Sequence, residues 1–215
     1  MENMYGNEIY DIPKNELEIN LPYTFIQKSE VTFSWTELYW GRENRFISDE
    51  ILIELAEWEV VNGVYSDEIL ELASIMKSEI LVEKKKIKEL IEKIIDKNLL
   101  INKQYILNCK NKYLYVILAY IYQYPLESDV LIKINKYFCD LSEDKMERDQ
   151  GYEGVLAFII EDFRAPSKPT QEFLSVLLEW RAYDIRANQD LMELWRVLLE
   201  QQHKCFFNQW NKKIK

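Results

Sequence analysis

This sequence predicts an all-α fold, and three observations carry that expectation. Only five glycines and five prolines punctuate 215 residues, too few turn formers for a sandwich of many short strands. Apolar residues recur at intervals of three and four, as in Ile87, Leu90, Ile91, Ile94 and Ile95, which is the period of a helix that buries one face. A Ser-Asp-Glu start occurs twice, at 48–50 and 66–68, and each places a hydroxyl cap and two acids at the positive end of a helix dipole. With 48% hydrophobic and 13% aromatic residues the composition is that of a packed globular protein. A chain of this length buries roughly 70% of its unfolded surface as one domain, with no need of metal or disulfide.

Taken in order, residues 1–33 hold Pro13, Pro22 and the alternation Leu17, Ile19, Leu21, and read as an extended arm with one or two edge strands, packed on the domain. Ser34 and Glu37 have the spacing of a capping box, and Gly41 offers a left-handed stop, so a short helix is expected at 35–40. The start at Ser48 opens a helix that Asn62-Gly63 closes, and Ser66 opens the next. The two copies, SDEILIELA and SDEILELA, have the form of a helical repeat, although good helix starts also resemble one another for no deeper reason. The isoleucine stripe belongs to a helix over about 79–97. Later helices are expected at about 111–124, 128–140, 152–163 and 171–187, the last capped by Thr170, followed by one striped with Leu191, Leu194, Trp195, Leu198, Leu199, Cys205 and Phe206. Eight or nine helices that pair at intervals of about 40 residues predict stacked antiparallel hairpins over 34–215, a HEAT-like solenoid or an irregular helical bundle.

The longest apolar run, Tyr113 to Tyr122, is half the roughly 20 residues a membrane-spanning helix needs, and reads as a central buried helix. Residues 1–11 are polar and acidic and lack the regions of a secretory signal, so a cytoplasmic location is expected. Cys109, Cys139 and Cys205 form no CxxC pair and read as reduced packing residues.

Charge is distributed unevenly. Residues 1–83 hold 5 Lys/Arg against 18 Asp/Glu, net −13, whereas residues 84–115 are net +6 and residues 116–215 net −3, within a total of −10. Glu50, Glu54 and Glu57 fall at i, i+4 and i+7 of one helix, and Asp67, Glu68 and Glu71 continue the acidic ridge on the next. Such carboxylates repel by a few tenths of a kcal/mol per pair but accelerate encounter with a basic partner. The same run also fits an ordinary solvated face. Lys84, Lys85, Lys86, Lys88, Lys93 and Lys97 lie opposite the isoleucine stripe, with Glu89 and Lys93 correctly spaced for an ion pair. No aromatic residue interleaves the lysines, so a solvated helix face is expected there and nucleic-acid binding is not.

Chemistry-bearing constellations are scarce. The single histidine, His203, at the edge of the last helix's apolar stripe, rules out a site with two His ligands and reads as packed or half-exposed. No GxGxxG, GxxxxGK[ST] or GxSxG occurs. Glu161, Asp162 and Asp140 near helix ends are surface acids unless a cleft gathers them. Trp35, Tyr39 and Trp40 span little more than one turn and cannot all face one core, so at least one should rest on the N-terminal arm or emerge at the surface.

Two stretches resemble the bacterial domain-of-unknown-function family 2247. Its hydrophobic-Thr-Trp-x-Glu-Leu-x-Trp-Gly segment is similar to residues 31–41, VTFSWTELYWG. Its central Lys-Trp-Leu-Tyr…Leu-Ala-Trp-Leu-Tyr segment is similar to residues 112–122, KYLYVILAYIY, with Tyr in place of two Trp, and Asp129, Tyr137, Phe138 and Asp140 are similar to the segment that follows. The family's Arg-Tyr-Met-Pro-like segment has no clear counterpart near Phe158–Phe163, so the resemblance covers about residues 25–145. It implies no catalytic residue. By analogy of context it implies a small stand-alone bacterial protein of the kind found beside secreted toxins as an immunity partner.

The expectation is therefore a non-enzymatic, cytoplasmic protein-binding protein without cofactor or metal, which engages no membrane or nucleic acid. It would neutralise a basic toxin through Glu50, Glu54, Glu57, Asp67, Glu68 and Glu71. The alternative is a helical-repeat scaffold or assembly subunit that binds a peptide or its own copy through the Trp35–Trp40 region. An acid-dependent hydrolase stands third and requires a deep cleft with two facing carboxylates.

Overall fold

The computed structural model describes residues 13, 15, 17–124, 151–163, 167–183 and 188–213. These residues are all-helical, with nine α-helices, two 3-10 turns and no strand among them. They group into an N-terminal unit within Lys14–Cys109 and a C-terminal unit that comprises Pro13 and the residues from Lys110 onward.

The N-terminal unit contains α1 (Tyr23–Lys28), α2 (Trp35–Glu43), α3 (Asp49–Val61), α4 (Asp67–Ala73) and α5 (Lys84–Ile94). Helix α1 packs on α3, α3 on α4, α4 on α5 and α5 on α2.

The segment before α1 corrects the expected edge strands. Ile19 and Leu21 are buried, in keeping with their alternation, but their backbone bonds go to a side chain and a turn and not to a neighbouring strand. Asn15, itself buried, takes the Ile19 N–H on its Oδ1 at 3.0 Å and donates Nδ2 to the carbonyls of Ile19 and Arg45, both at 3.0 Å. The Leu21 N–H donates to Phe46 O at 2.8 Å. The chain then enters α1, helical within the stretch read as extended, just after Pro22, whose missing N–H costs nothing at a helix start.

Helix α2 has the expected capping box. Ser34 Oγ accepts the Glu37 N–H at 3.3 Å and Glu37 Oε2 accepts the Ser34 N–H at 2.7 Å. It does not stop at Gly41, however, which is helical and buried. The stop is a left-handed Arg45, φ 63°, whose N–H reaches Arg42 O at 3.0 Å while the Phe46 N–H reaches Gly41 O at 2.9 Å. This is a Schellman cap with Arg where Gly is usual. Gly63, φ 75°, closes α3 in the same way, as the Asn62-Gly63 pair predicts.

Ile87, Leu90, Ile91 and Ile95 are buried as the stripe requires. Helix α5 is shorter than the expected 79–97, because Lys77–Glu79 and Leu99–Ile101 form separate 3-10 turns on either side of it.

Helix α6 (Lys103–Gln123) begins about eight residues earlier than expected and continues into the C-terminal unit. All six residues from Tyr113 to Leu118 are buried, so this stretch is enclosed on every side. Among the described residues no helix is long and apolar enough to cross a membrane.

The C-terminal unit continues with α7 (Gly151–Phe163) packed on α8 (Lys168–Tyr183), and α8 on α9 (Asn188–Lys213). Thr170 is not the cap of α8. It lies buried inside the first turn, and Ser167 precedes the helix, its N–H held by Asn111 Oδ1 at 2.9 Å and its Oγ by Gln202 Nε2 at 2.6 Å. Pro169 is tolerated in that first turn, where an N–H has no helical partner to lose. The helix expected at 128–140 lies outside the described residues, as does Cys139. Cys109 is buried and in no disulfide.

Candidate functional site

The six acids of the ridge do not share one environment. Glu50 and Glu54 converge on Lys77, whose Nζ lies 2.8 Å and 2.6 Å from their carboxylates. Those two hydrogen bonds raise the Lys77 ammonium above its ordinary pKa, so this end of the ridge carries its own counter-ion. Glu71 is held by Lys86 at 2.9 Å. The Ser66 hydroxyl and its own backbone N–H keep the Glu68 carboxyl below its ordinary value, with Lys93 adding a weaker attraction. Glu57 and Asp67 are exposed and make no ion pair among the described residues.

Sequence reasoning missed Lys77 because a single cation on a 3-10 turn carries no periodic signal. It did anticipate a solvated lysine face on α5. There Lys97 reaches Glu92 at 3.0 Å, and Glu89 lies 3.7 Å from Lys85, one turn before it, where pairing with Lys93 is expected from spacing.

A second feature of the N-terminal unit was not legible as a site. A groove of about 430 Å³ opens between α1, the 30–33 segment, α2 and α3, lined by Ile26, Val31, Leu38 and Leu55 as apolar floor, with Trp58, Glu30 and Glu59 among its other residues. Trp58 is 51% exposed although it is the largest side chain there. Glu59 Oε2 accepts the Trp35 indole N–H at 3.0 Å. Burial pushes the Glu59 carboxyl above its ordinary pKa, against the lowering by that N–H. Glu30 also lines the groove and has a left-handed backbone, φ 56°. Beyond the groove, Val61, Val64 and Tyr65 extend the exposed apolar surface from the end of α3.

The three aromatic residues of α2 differ in burial. Trp40 is buried and stacked on Phe46 with ring centres 6.0 Å apart. Tyr39 is half-buried and its hydroxyl is pushed up by that burial and by Glu43. Trp35 is half-buried and its indole N–H reaches Glu59 of α3. The Ser34 Oγ of the α2 cap also meets Tyr105 Oη at 2.8 Å, and burial raises that phenol to about 12.

In the C-terminal unit, His203 is half-buried, its Nδ1 3.0 Å from the hydroxyl of buried Tyr115, which also packs on Phe206. Glu161 is exposed and Asp162 half-buried, while Asp140 lies outside the described residues. Among the described residues no group of three or more His, Cys, Asp or Glu is placed to hold a metal ion.

The arrangement can attract and seat a cation. Glu59 and Glu30 line an apolar groove, with Glu57 nearby on α3, and no Lys or Arg lines it among the described residues. The family model that matches the chain is described as an uncharacterized protein conserved in bacteria, DUF2247, and it covers residues 23–203, reaching into α9. No curated protein and no solved structure matches the chain.

Proposed function

The chain belongs to that bacterial family, and from this premise we propose that it is a non-enzymatic protein-binding protein, in biological terms an immunity protein that covers a basic toxin. The supporting observation is that part of the ridge has a counter-ion and part has none among the described residues. Lys77 and Lys86 answer Glu50, Glu54 and Glu71, while Glu57 and Asp67 are left for an external partner and Glu68 stays ionised. Exposed carboxylates of this kind steer a cationic protein into encounter and set the salt dependence of the rate more than the final affinity.

The test is capture from a host bacterium at low salt and release at high salt, followed by co-expression with whatever basic protein is retained. Protection of the cells supports immunity, and lack of protection removes it. Reversing Glu57, Asp67 and Glu68 to Lys should slow association and flatten its salt dependence. Unchanged kinetics would move the interface off the ridge.

A second reading, self-assembly, is favoured by the exposed Trp58, Val61, Val64 and Tyr65, since contiguous apolar surface marks an interaction site. A mass measurement in solution separates the two. A stable homo-oligomer that buries these residues favours assembly.

A further inference from the structure

We propose that the groove between α1 and α3 receives an arginine side chain of the protein partner. Its guanidinium pairs with Glu59 and lies on Trp58, and an apolar neighbour of that arginine fills the floor of Ile26, Val31, Leu38 and Leu55. The inference rests on the reading that the partner is a basic protein, and it supplies that partner's recognition element.

Three observations converge on it. The first is shape and polarity. A concavity of about 430 Å³ with an apolar floor and a few polar groups has the size and character of a site that orients a ligand rather than merely excluding water. The second is unbalanced charge. Glu30 and Glu59 line this space and no cation does among the described residues, and Glu59 has one of its two oxygens satisfied by Trp35 Nε1, while Oε1 has no hydrogen-bond partner among the described residues. A half-buried carboxylate in that state is raised in energy by desolvation, and an incoming cation relieves the penalty while a neutral group does not. The third is Trp58. An indole left half in solvent beside a carboxylate offers a face for a cation. A guanidinium can stack there while donating in its plane to Glu59, a combination the compact lysine ammonium cannot match.

Glu30 adds an internal control. Its left-handed backbone carries strain that glycine would not, so a purely architectural residue at this position gains stability on Glu30→Gly.

The experiment uses the full chain, labelled at the tryptophan indoles, titrated with the peptide acetyl-Leu-Arg-Leu-amide and with its citrulline and lysine counterparts. The arginine peptide should shift the Trp35 and Trp58 indole signals saturably. The citrulline peptide, which keeps the shape and loses the charge, should bind at least about tenfold more weakly, a difference of about 1.4 kcal/mol, with lysine in between. Glu59→Gln should weaken the arginine peptide about tenfold. Glu30→Gly should weaken it several-fold while leaving the melting temperature the same or higher, a split that loss of structure would not produce. Equal binding of arginine and citrulline, or an unchanged Glu59→Gln, overturns the proposal, and so does a chain whose Trp58 is already buried against a second copy. If the groove fails in these ways while charge reversal at Glu57, Asp67 and Glu68 still slows capture of the natural partner, the arginine pocket alone is wrong and the binding function stands.

Discussion

Helices α3 and α4 open on the same five residues, SDEIL at 48–52 and 66–70, and the structure treats the two copies differently. In α3 the fifth residue, Leu52, is fully buried; in α4 its counterpart, Leu70, is 46% exposed. The helices have different neighbours, α3 lying against α1 and α4, and α4 against α3 and α5. The copies also diverge after the shared leucine, where the first continues ILIELA and the second ILELA, so the matching residues that follow are turned by about 100° in α4 relative to α3. Leu72 then becomes the buried residue of α4, whereas its counterpart Leu55 is only half-buried and forms part of the groove floor. Capping differs too. Ser66 Oγ accepts the Ile69 N–H at 3.4 Å, while Ser48 makes no side-chain cap and its neighbour Asp49 is taken by Arg42 at 2.5 Å. A shared helix start thus specifies where two helices begin, and the neighbours each helix packs against decide which of its leucines is buried.

The sharpest way to break this comparison is truncation of the paired leucines. Leu52→Ala should cost about 2–5 kcal/mol, because it opens a cavity in a closed core, whereas Leu70→Ala should stay within about 0.5 kcal/mol; chemical denaturation of the two variants checks it. Equal losses would mean that the helices are buried alike.

Next in size are the caps. Ser66→Ala should destabilise by about 1 kcal/mol through loss of a satisfied helix donor, and Ser48→Ala by less than about 0.5 kcal/mol, again by denaturant midpoint.

The acids give a smaller effect with opposite signs. Glu59 on α3 has a folded-state pKa raised by burial, so its contribution is full below the unfolded value and declines as pH rises through the folded one. Glu68 on α4 has a folded-state pKa lowered by the Ser66 hydroxyl, so its contribution is present above the unfolded value and is lost as pH falls through the folded one. Glu59→Gln should therefore improve relative stability at pH 7 compared with pH 4, and Glu68→Gln should do the reverse, measured by thermal melts across that range. Variants that shift in the same direction would contradict the assignment.

Smallest of all is Lys77→Gln. The ion pairs it removes are exposed, so melting should barely change. The freed Glu50 and Glu54 should instead raise the association rate with a basic partner at low salt.

Much of this was legible in particular residues. The Ser34–Glu37 box, the Gly63 stop and the α5 stripe are local, and each was read correctly because its physics is complete within a few residues. The errors share a different cause. Leu17, Ile19 and Leu21 alternate like a strand, but burial with period two needs only an extended chain, and the donors were taken by Asn15 and a turn. Gly41 offers a stop because glycine permits one, yet the left-handed position falls on Arg45, where tertiary contacts around Phe46 outweigh the backbone cost. The ridge acids are visible as a pattern, but Lys77, which pairs with two of α3's three ridge acids, is not, and Glu30 stands too far along the chain from Trp58 and Glu59 for sequence to reveal that they line one groove.

The sequence by itself determined that the chain is helical, where most helices start, which faces of α5 and α6 are apolar, and that negative charge concentrates before residue 84, since these follow from periodicity, capping chemistry and composition along a continuous stretch. Only the tertiary structure decided which carboxylates remain without a counter-ion, which leucine of a repeated pair is buried, and that an exposed tryptophan and a desolvated glutamate line one groove. Those outcomes depend on the through-space neighbours of each side chain, and electrostatic and packing energies are set by those neighbours rather than by distance along the chain.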